Sequence, residues 1–308
     1  MKKFWIRLAT FTIIFIICFL GYDFLSSKTV ARQSIAFQTG SESYIGAGTE
    51  DIVHYIEQIK NQNNSTKLIV GDSVCNQLFN GLYALNEDFT IAGSNGAITM
   101  AGQYIMIKSY LDNHPKATDV FLIMLPDSLQ RTFDTKLGYQ YTVLPFIETD
   151  TLKYLDHNTI EAMSSTYGNI FMNSSIANLI SKSGLNRKLY LNYISEQSGY
   201  IQNHPYEIAE QYLDKMVLLC QEKNVNFYLY PSIVSDKNIT VDYKKDISDS
   251  SSISKINPAY FESIYYFPSE LSGDGTHLKV EYADRESLNQ IIREAYANTE
   301  LLNYLALE

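Results

Sequence analysis

The apolar positions of this chain follow two periods. In "TEDIVHYIEQIK", Thr49 to Lys60, isoleucines 52, 56 and 59 and Tyr55 fall three and four apart behind a threonine and two acids. That spacing predicts an amphipathic helix with a capped, acid-rich first turn. Lys67 to Val70 is a short apolar run, and so are "FTIAGSNG" and "DVFLIMLP", each ending on turn-forming residues. They predict three core strands, the last covered on both faces. Helical spacing separates them over 76–85 and 97–111. Further on, "PYEIAEQYLDKMVLLCQEKN" predicts a helix with Pro205 in its first turn. "VNFYLYPS" predicts a fourth strand and "EYADRESLNQIIREAY" a C-terminal helix. Strand and helix in alternation predict a three-layer α/β/α, flavodoxin-like fold with a parallel sheet. Two tracts do not fit the rhythm. Residues 128–204 are too long for a simple connection and predict a helical insertion or lid. Residues 232–271, rich in serine, aspartate and lysine, predict a segment mobile at its centre.

The N-terminus has a different character. Lys2, Lys3 and Arg7 precede an uncharged run from Leu8 to Tyr22. With its aromatic and aliphatic flanks, the run approaches the roughly 20 residues of a membrane span. No small-x-small cleavage pattern follows it, which favours an uncleaved anchor over a removed signal peptide. The positive flank keeps the N-terminus in the cytoplasm and places the rest outside the cell membrane. The chain thus divides into an anchor (1–25), an irregular stem (26–48) and a domain (49–308) that contains the insertion at about 128–204.

Composition narrows the chemistry. Net charge is -10 with no basic block, which argues against nucleic acid as a partner. Cys18, Cys75 and Cys220 form no paired motif, and Cys75 and Cys220 read as packed thiols in helices. The five histidines show no metal-ligand spacing, so neither a metal nor a cofactor is expected.

In an open parallel sheet, ligands bind beyond the carboxyl ends of the strands. Four turns qualify: Gly71-Asp72-Ser73, Gly93-Ser94-Asn95-Gly96, Pro126-Asp127-Ser128, and "SGDGTHL" near the C-terminus. Ser73 reads either as the cap of the following helix or as a nucleophile. Asp72 reads as a first-turn acid facing the helix dipole. A serine needs a base to take its proton, and the base needs an orienting acid. Asp274 and His277, three apart, supply both and favour the nucleophile. The Ser73 backbone N–H, Gly93 and Asn95 are candidate oxyanion donors. Asn95 reads equally as a turn residue, and Gly93 reads somewhat better as structural. Asp127 and Ser128 read as loop caps. Tyr139 and Tyr141 could stack on sugars, but with 24 tyrosines in the chain packing is the better explanation.

A G-x-S-x-G elbow is disfavoured because Cys75 stands where its second glycine belongs. Gly71-Asp72-Ser73 after the first strand, the glycine turn at 93–96 and Asp274-x-x-His277 before the last helix resemble the blocks of the SGNH, or GDSL-like, hydrolases. The likeness spans about Lys67 to Ala297 in block order. The third block departs from it: where that family has G-x-N-D, this chain has Leu125-Pro126-Asp127-Ser128. Either Asn95 substitutes for the missing asparagine or the oxyanion hole is thinner. The resemblance implies Ser73, Asp274 and His277 as a catalytic triad. With the anchor, it is similar to membrane-tethered members that O-acetylate bacterial polysaccharides or transfer D-alanine to teichoic acids. It therefore implies an acyl donor, a cell-surface glycopolymer acceptor and a multi-span membrane acyltransferase as partner. An esterase or deacetylase, or a non-catalytic glycan-binding or scaffold domain, are the alternatives.

Overall fold

The computed structural model describes residues 2–39, 49–61, 64–79, 88–94, 98–129, 133, 138–177, 206–238, 251–279, 284–305 and 307. Its first element, α1 (Lys2–Thr39), contains one stretch, Lys2–Gly21, long and apolar enough to cross a membrane, with a mean hydropathy of 2.1. An anchor and a signal sequence both satisfy that description. The irregular stem expected over 26–48 is corrected as far as Thr39, because α1 runs on unbroken. No glycine or proline lies between Asp23 and Thr39 to stop it. Residues 40–48 lie outside the described set.

The α/β unit begins with α2 (Thr49–Lys60) and continues through β1 (Lys67–Gly71), α3 (Ser73–Phe79), β2 (Phe89–Gly93), α4 (Thr99–Asn113) and β3 (Asp119–Met124). It resumes with α5 (Tyr206–Glu222), β4 (Asn226–Pro231) and α6 (Arg285–Ala295). The four strands form one parallel sheet in the order β2-β1-β3-β4. Gly71 pairs with Gly93 on one side and with Ile123 on the other, so three strand ends finish level.

Alternation along β1 builds two cores. Leu68 and Val70 face one side, with Val120, Leu122, the isoleucines of α2 and the buried residues of α4 and α5. Ile69 faces the other side, with Phe121, Ile123, Val74, Leu78, Leu288 and Ile292. Each fully buried aliphatic side chain contributes about 1.5–3 kcal/mol, so both faces hold the sheet between helices. This is the three-layer arrangement that the apolar runs predict. β1 lies between β2, which follows it in the chain, and β3, which follows β2. The chain therefore reverses its direction across the sheet beside β1, and the turn after β1 sits at that switch point.

The insertion holds short helices at Leu144–Glu148, His157–Tyr167 and Asn169–Met172. Asp156 caps the longest of these and forms an ion pair with Lys215 of α5. Tyr139 and Tyr141 are buried, so packing accounts for them. Cys75 and Cys220 are free and buried. Residues 178–205 and 239–250, which include the centre of the tract expected to be mobile, lie outside the described residues.

Candidate active site

The turn after β1 is built on close approach. A Cβ on Gly71 would lie 1.9 Å from the carbonyl oxygen of Ile123 on the neighbouring strand, so only glycine fits. The Gly71 carbonyl accepts from the Ser94 backbone N–H at 3.0 Å and from Gln103 Nε2 at 3.1 Å. These bonds tie the ends of β1 and β2 to α4. Ser94 Oγ and Gln103 Oε1 are buried there without a hydrogen-bond partner among the described residues.

Asp72 takes the capping role that its neighbour was a candidate for. One carboxylate oxygen, Oδ1, accepts from the backbone N–H groups of Val74 (3.0 Å) and Cys75 (3.1 Å), and from the Ser232 hydroxyl at 3.3 Å. The other, Oδ2, accepts from the N–H of Leu125 at 2.5 Å. Asp72 therefore faces the helix dipole as expected, but from the cap position and not from within the first turn. It precedes the helix, is fully buried, and joins the ends of β1, β3 and β4. Burial raises its carboxyl above the ordinary range, opposed by the bonds from Leu125, Cys75 and Val74. The same burial, with Asp72 nearby, pushes the Cys75 thiol well up and leaves it unreactive.

With Asp72 as the cap, the Ser73 side chain points elsewhere. Its Oγ lies 2.8 Å from His277 Nε2. His277 Nδ1 lies 2.7 Å from Asp274 Oδ2. A carboxylate only accepts, so Nδ1 carries the proton and Nε2 presents a lone pair to the Ser73 hydroxyl. Asp274 Oδ1 accepts from the N–H groups of Thr276 (2.9 Å) and His277 (2.7 Å). Burial alone would raise the Asp274 carboxyl, but its bonds from the His277 ring and backbone hold it far below the usual range. The loop closes on itself. The His277 carbonyl accepts from the Gly273 N–H at 2.9 Å and from the Ser272 hydroxyl at 3.2 Å, and Gly275 turns with φ +90°.

Ser73, His277 and Asp274 thus meet, and the other sequence candidates fare differently. Gly93 packs against α3: a Cβ there would lie 2.5 Å from the backbone nitrogen of Asn76, so its smallness serves helix–sheet contact. Asn95 lies outside the described residues. Asp127 is exposed and Ser128 buried in a short helical turn after β3. Two residues of the site were not anticipated, Asp72 in its buried role and Gln77, whose amide meets the backbone of Leu278. The i, i+4 spacing of Ser73 and Gln77 was the available signal for the second. Among the described residues, no three histidine, cysteine, aspartate or glutamate side chains gather as a metal site would require.

No family model matches the chain, and no curated protein does. One solved structure, named "The structure of a putative platelet activating factor from Streptococcus pneumonia", aligns over 80% of this chain and 92% of its own. Its identity is 10% and its TM-score 0.36, too loose a likeness to carry an argument about this molecule.

Proposed function

We propose that this protein is a serine acyl-transfer enzyme of the SGNH-like kind, with Ser73 as nucleophile, His277 as base and Asp274 as its orienting acid. The observation that carries this reading is the continuous chain of short hydrogen bonds from Ser73 Oγ through His277 to Asp274. The position of Ser73 at the switch point of the sheet supports it.

Ser73 Oγ attacks the acyl carbonyl carbon of the donor while His277 Nε2 takes the hydroxyl proton. Negative charge gathers on the carbonyl oxygen, near the first turn of α3. The Ser73 N–H is the proposed donor there, since Asp72 Oδ1 occupies those of Val74 and Cys75. The bond to the leaving group breaks, and the leaving group departs with the proton from His277. An acceptor hydroxyl then gives its proton to His277 and attacks the acyl-serine, the acyl–Oγ bond breaks, and His277 returns that proton to Ser73 Oγ.

The acceptor we propose is a hydroxyl of a cell-surface glycopolymer. The apolar N-terminal helix supports an extracytoplasmic, membrane-tethered setting, and the acyl donor would come from a multi-span membrane acyltransferase. Water in place of the glycan makes the same residues an esterase.

The test uses the full chain in detergent with a fluorophosphonate probe and with p-nitrophenyl acetate. Labelling and turnover are expected in the native protein and absent from Ser73→Ala, with His277→Ala slowed by at least about 10³-fold. If the native protein is labelled no faster than Ser73→Ala, the acyl-enzyme reading is wrong and a non-catalytic glycan-binding domain replaces it. Added polysaccharide that diverts the acyl group from water separates transfer from hydrolysis.

A further inference from the structure

The Asp274–His277 pair is held by its own loop, but those bonds do not fix where the loop stands relative to Ser73. Gln77 supplies a link of that kind. Its Nε2 donates to the Leu278 carbonyl at 2.7 Å, and its Oε1 accepts from the Leu278 N–H at 2.9 Å. A side-chain amide meeting a backbone N–H and C=O of one residue forms a two-point clamp. Gln77 follows Ser73 by four residues, so both lie on one face of α3, about 6 Å apart along its axis. Leu278 follows His277 directly. Two successive points on the helix therefore engage two successive residues of the loop.

Resting on the acyl-enzyme reading, we propose that Gln77 is a positioning residue that sets the distance and direction of His277 Nε2 from Ser73 Oγ. The Leu278 side chain, buried in the apolar cluster that also holds Val74 and Leu78, adds to the hold on the loop. Apolar contact has no preferred direction, whereas a pair of hydrogen bonds fixes position and rotation together. A misplacement on the order of 1 Å at a reacting pair can cost about 10²-fold in rate. The clamp is what prevents that slip.

Gln77→Met in the full chain keeps the bulk of the side chain and removes both bonds. Fluorophosphonate labelling of Ser73 is expected to slow about 10- to 100-fold, with kcat for p-nitrophenyl acetate falling in parallel and KM changing less than about twofold. Labelling at the native rate overturns the proposal. A purely structural role would lower the melting temperature while leaving the labelling rate of the folded fraction unchanged.

A second readout does not need activity. Ser73→Ala should shift the His277 Cε1–H proton resonance in the native background and leave it unmoved in the Gln77→Met background, where the contact is already lost. Equal shifts in both overturn the proposal, even if the native serine proves unreactive and the acyl reading falls on its own. If Gln77→Met does not fold, amide exchange in the native chain decides: the Leu278 N–H should exchange at least about 100-fold slower than in an unstructured peptide. Exchange at the peptide rate rules the clamp out.

Discussion

Two aspartates in this molecule make the same local turn and are put to opposite uses. Asp72 and Asp274 each accept, through Oδ1, the backbone N–H groups two and three residues ahead. They part company at Oδ2. In Asp72 it reaches the N–H of Leu125, just past the end of the adjoining strand β3. In Asp274 it reaches the ring of His277, in a loop where its side chain is 38% exposed. The first is an element of architecture, and the second is the acid of the proposed chemistry. Burial and the imidazole account for the difference, since one turn geometry serves both.

The flanking glycines give the sharpest way to break that comparison. Gly71→Ala drives a methyl group into the Ile123 carbonyl and should cost about 4 kcal/mol or more, read by urea denaturation. Gly275→Ala meets no atom within 4 Å and strains only a backbone at φ +90°. It should cost about 1–2 kcal/mol. Comparable losses would mean that the two turns are equally structural.

The aspartates themselves come next. Asp72→Asn places an amide NH2 against backbone N–H donors and should destabilise the fold by about 2 kcal/mol. Asp274→Asn should cost less than about 1 kcal/mol, since that side chain is partly solvated, yet slow Ser73 labelling about 10²-fold by disturbing the orientation of His277. That is a smaller loss than His277→Ala brings, because the proton carrier remains. Parallel effects of the two variants on stability and rate would erase the distinction.

The smallest effect is in the acid limb. Asp274 is held below its unfolded value of 3.8, so its stabilisation is present above that pH and is lost as pH falls towards its folded value. Asp72 is raised, so its ionisation opposes folding at neutral pH and that penalty is relieved as pH falls through its folded value. Between pH 5 and 2, Asp274→Asn should therefore flatten the loss of stability and Asp72→Asn should steepen it, as followed by thermal melts across pH.

Much of the sheet was legible because fully buried parallel strands are written as unbroken apolar runs, as in Val120 to Met124. The proximity of Ser73 to His277 was legible because turns at the carboxyl ends of such strands converge. Asp72 was not, since an acid before a helix reads the same whether water or a strand end receives it. Gln77 was hidden for a further reason: its partner is the backbone of Leu278, which the sequence letter does not encode. The continuation of α1 to Thr39 was missed because Ser26, Ser27 and Thr29 suggest a loop, although nothing there breaks a helix. Asn95 stays as an expectation from its glycine turn.

The distance along the chain between Ser73 and His277, 204 residues, has a consequence for the history of each molecule. His277 and Asp274 are three residues apart and arrive together. A ribosome adding about 5–20 residues per second makes Ser73 some 10–40 seconds before His277. Throughout that interval the nascent chain carries a hydroxyl with nothing to take its proton. On the proposed chemistry, a truncated product or one stalled in export stays inert towards acyl donors, and reactivity at Ser73 marks a chain that has been completed to its C-terminal loop.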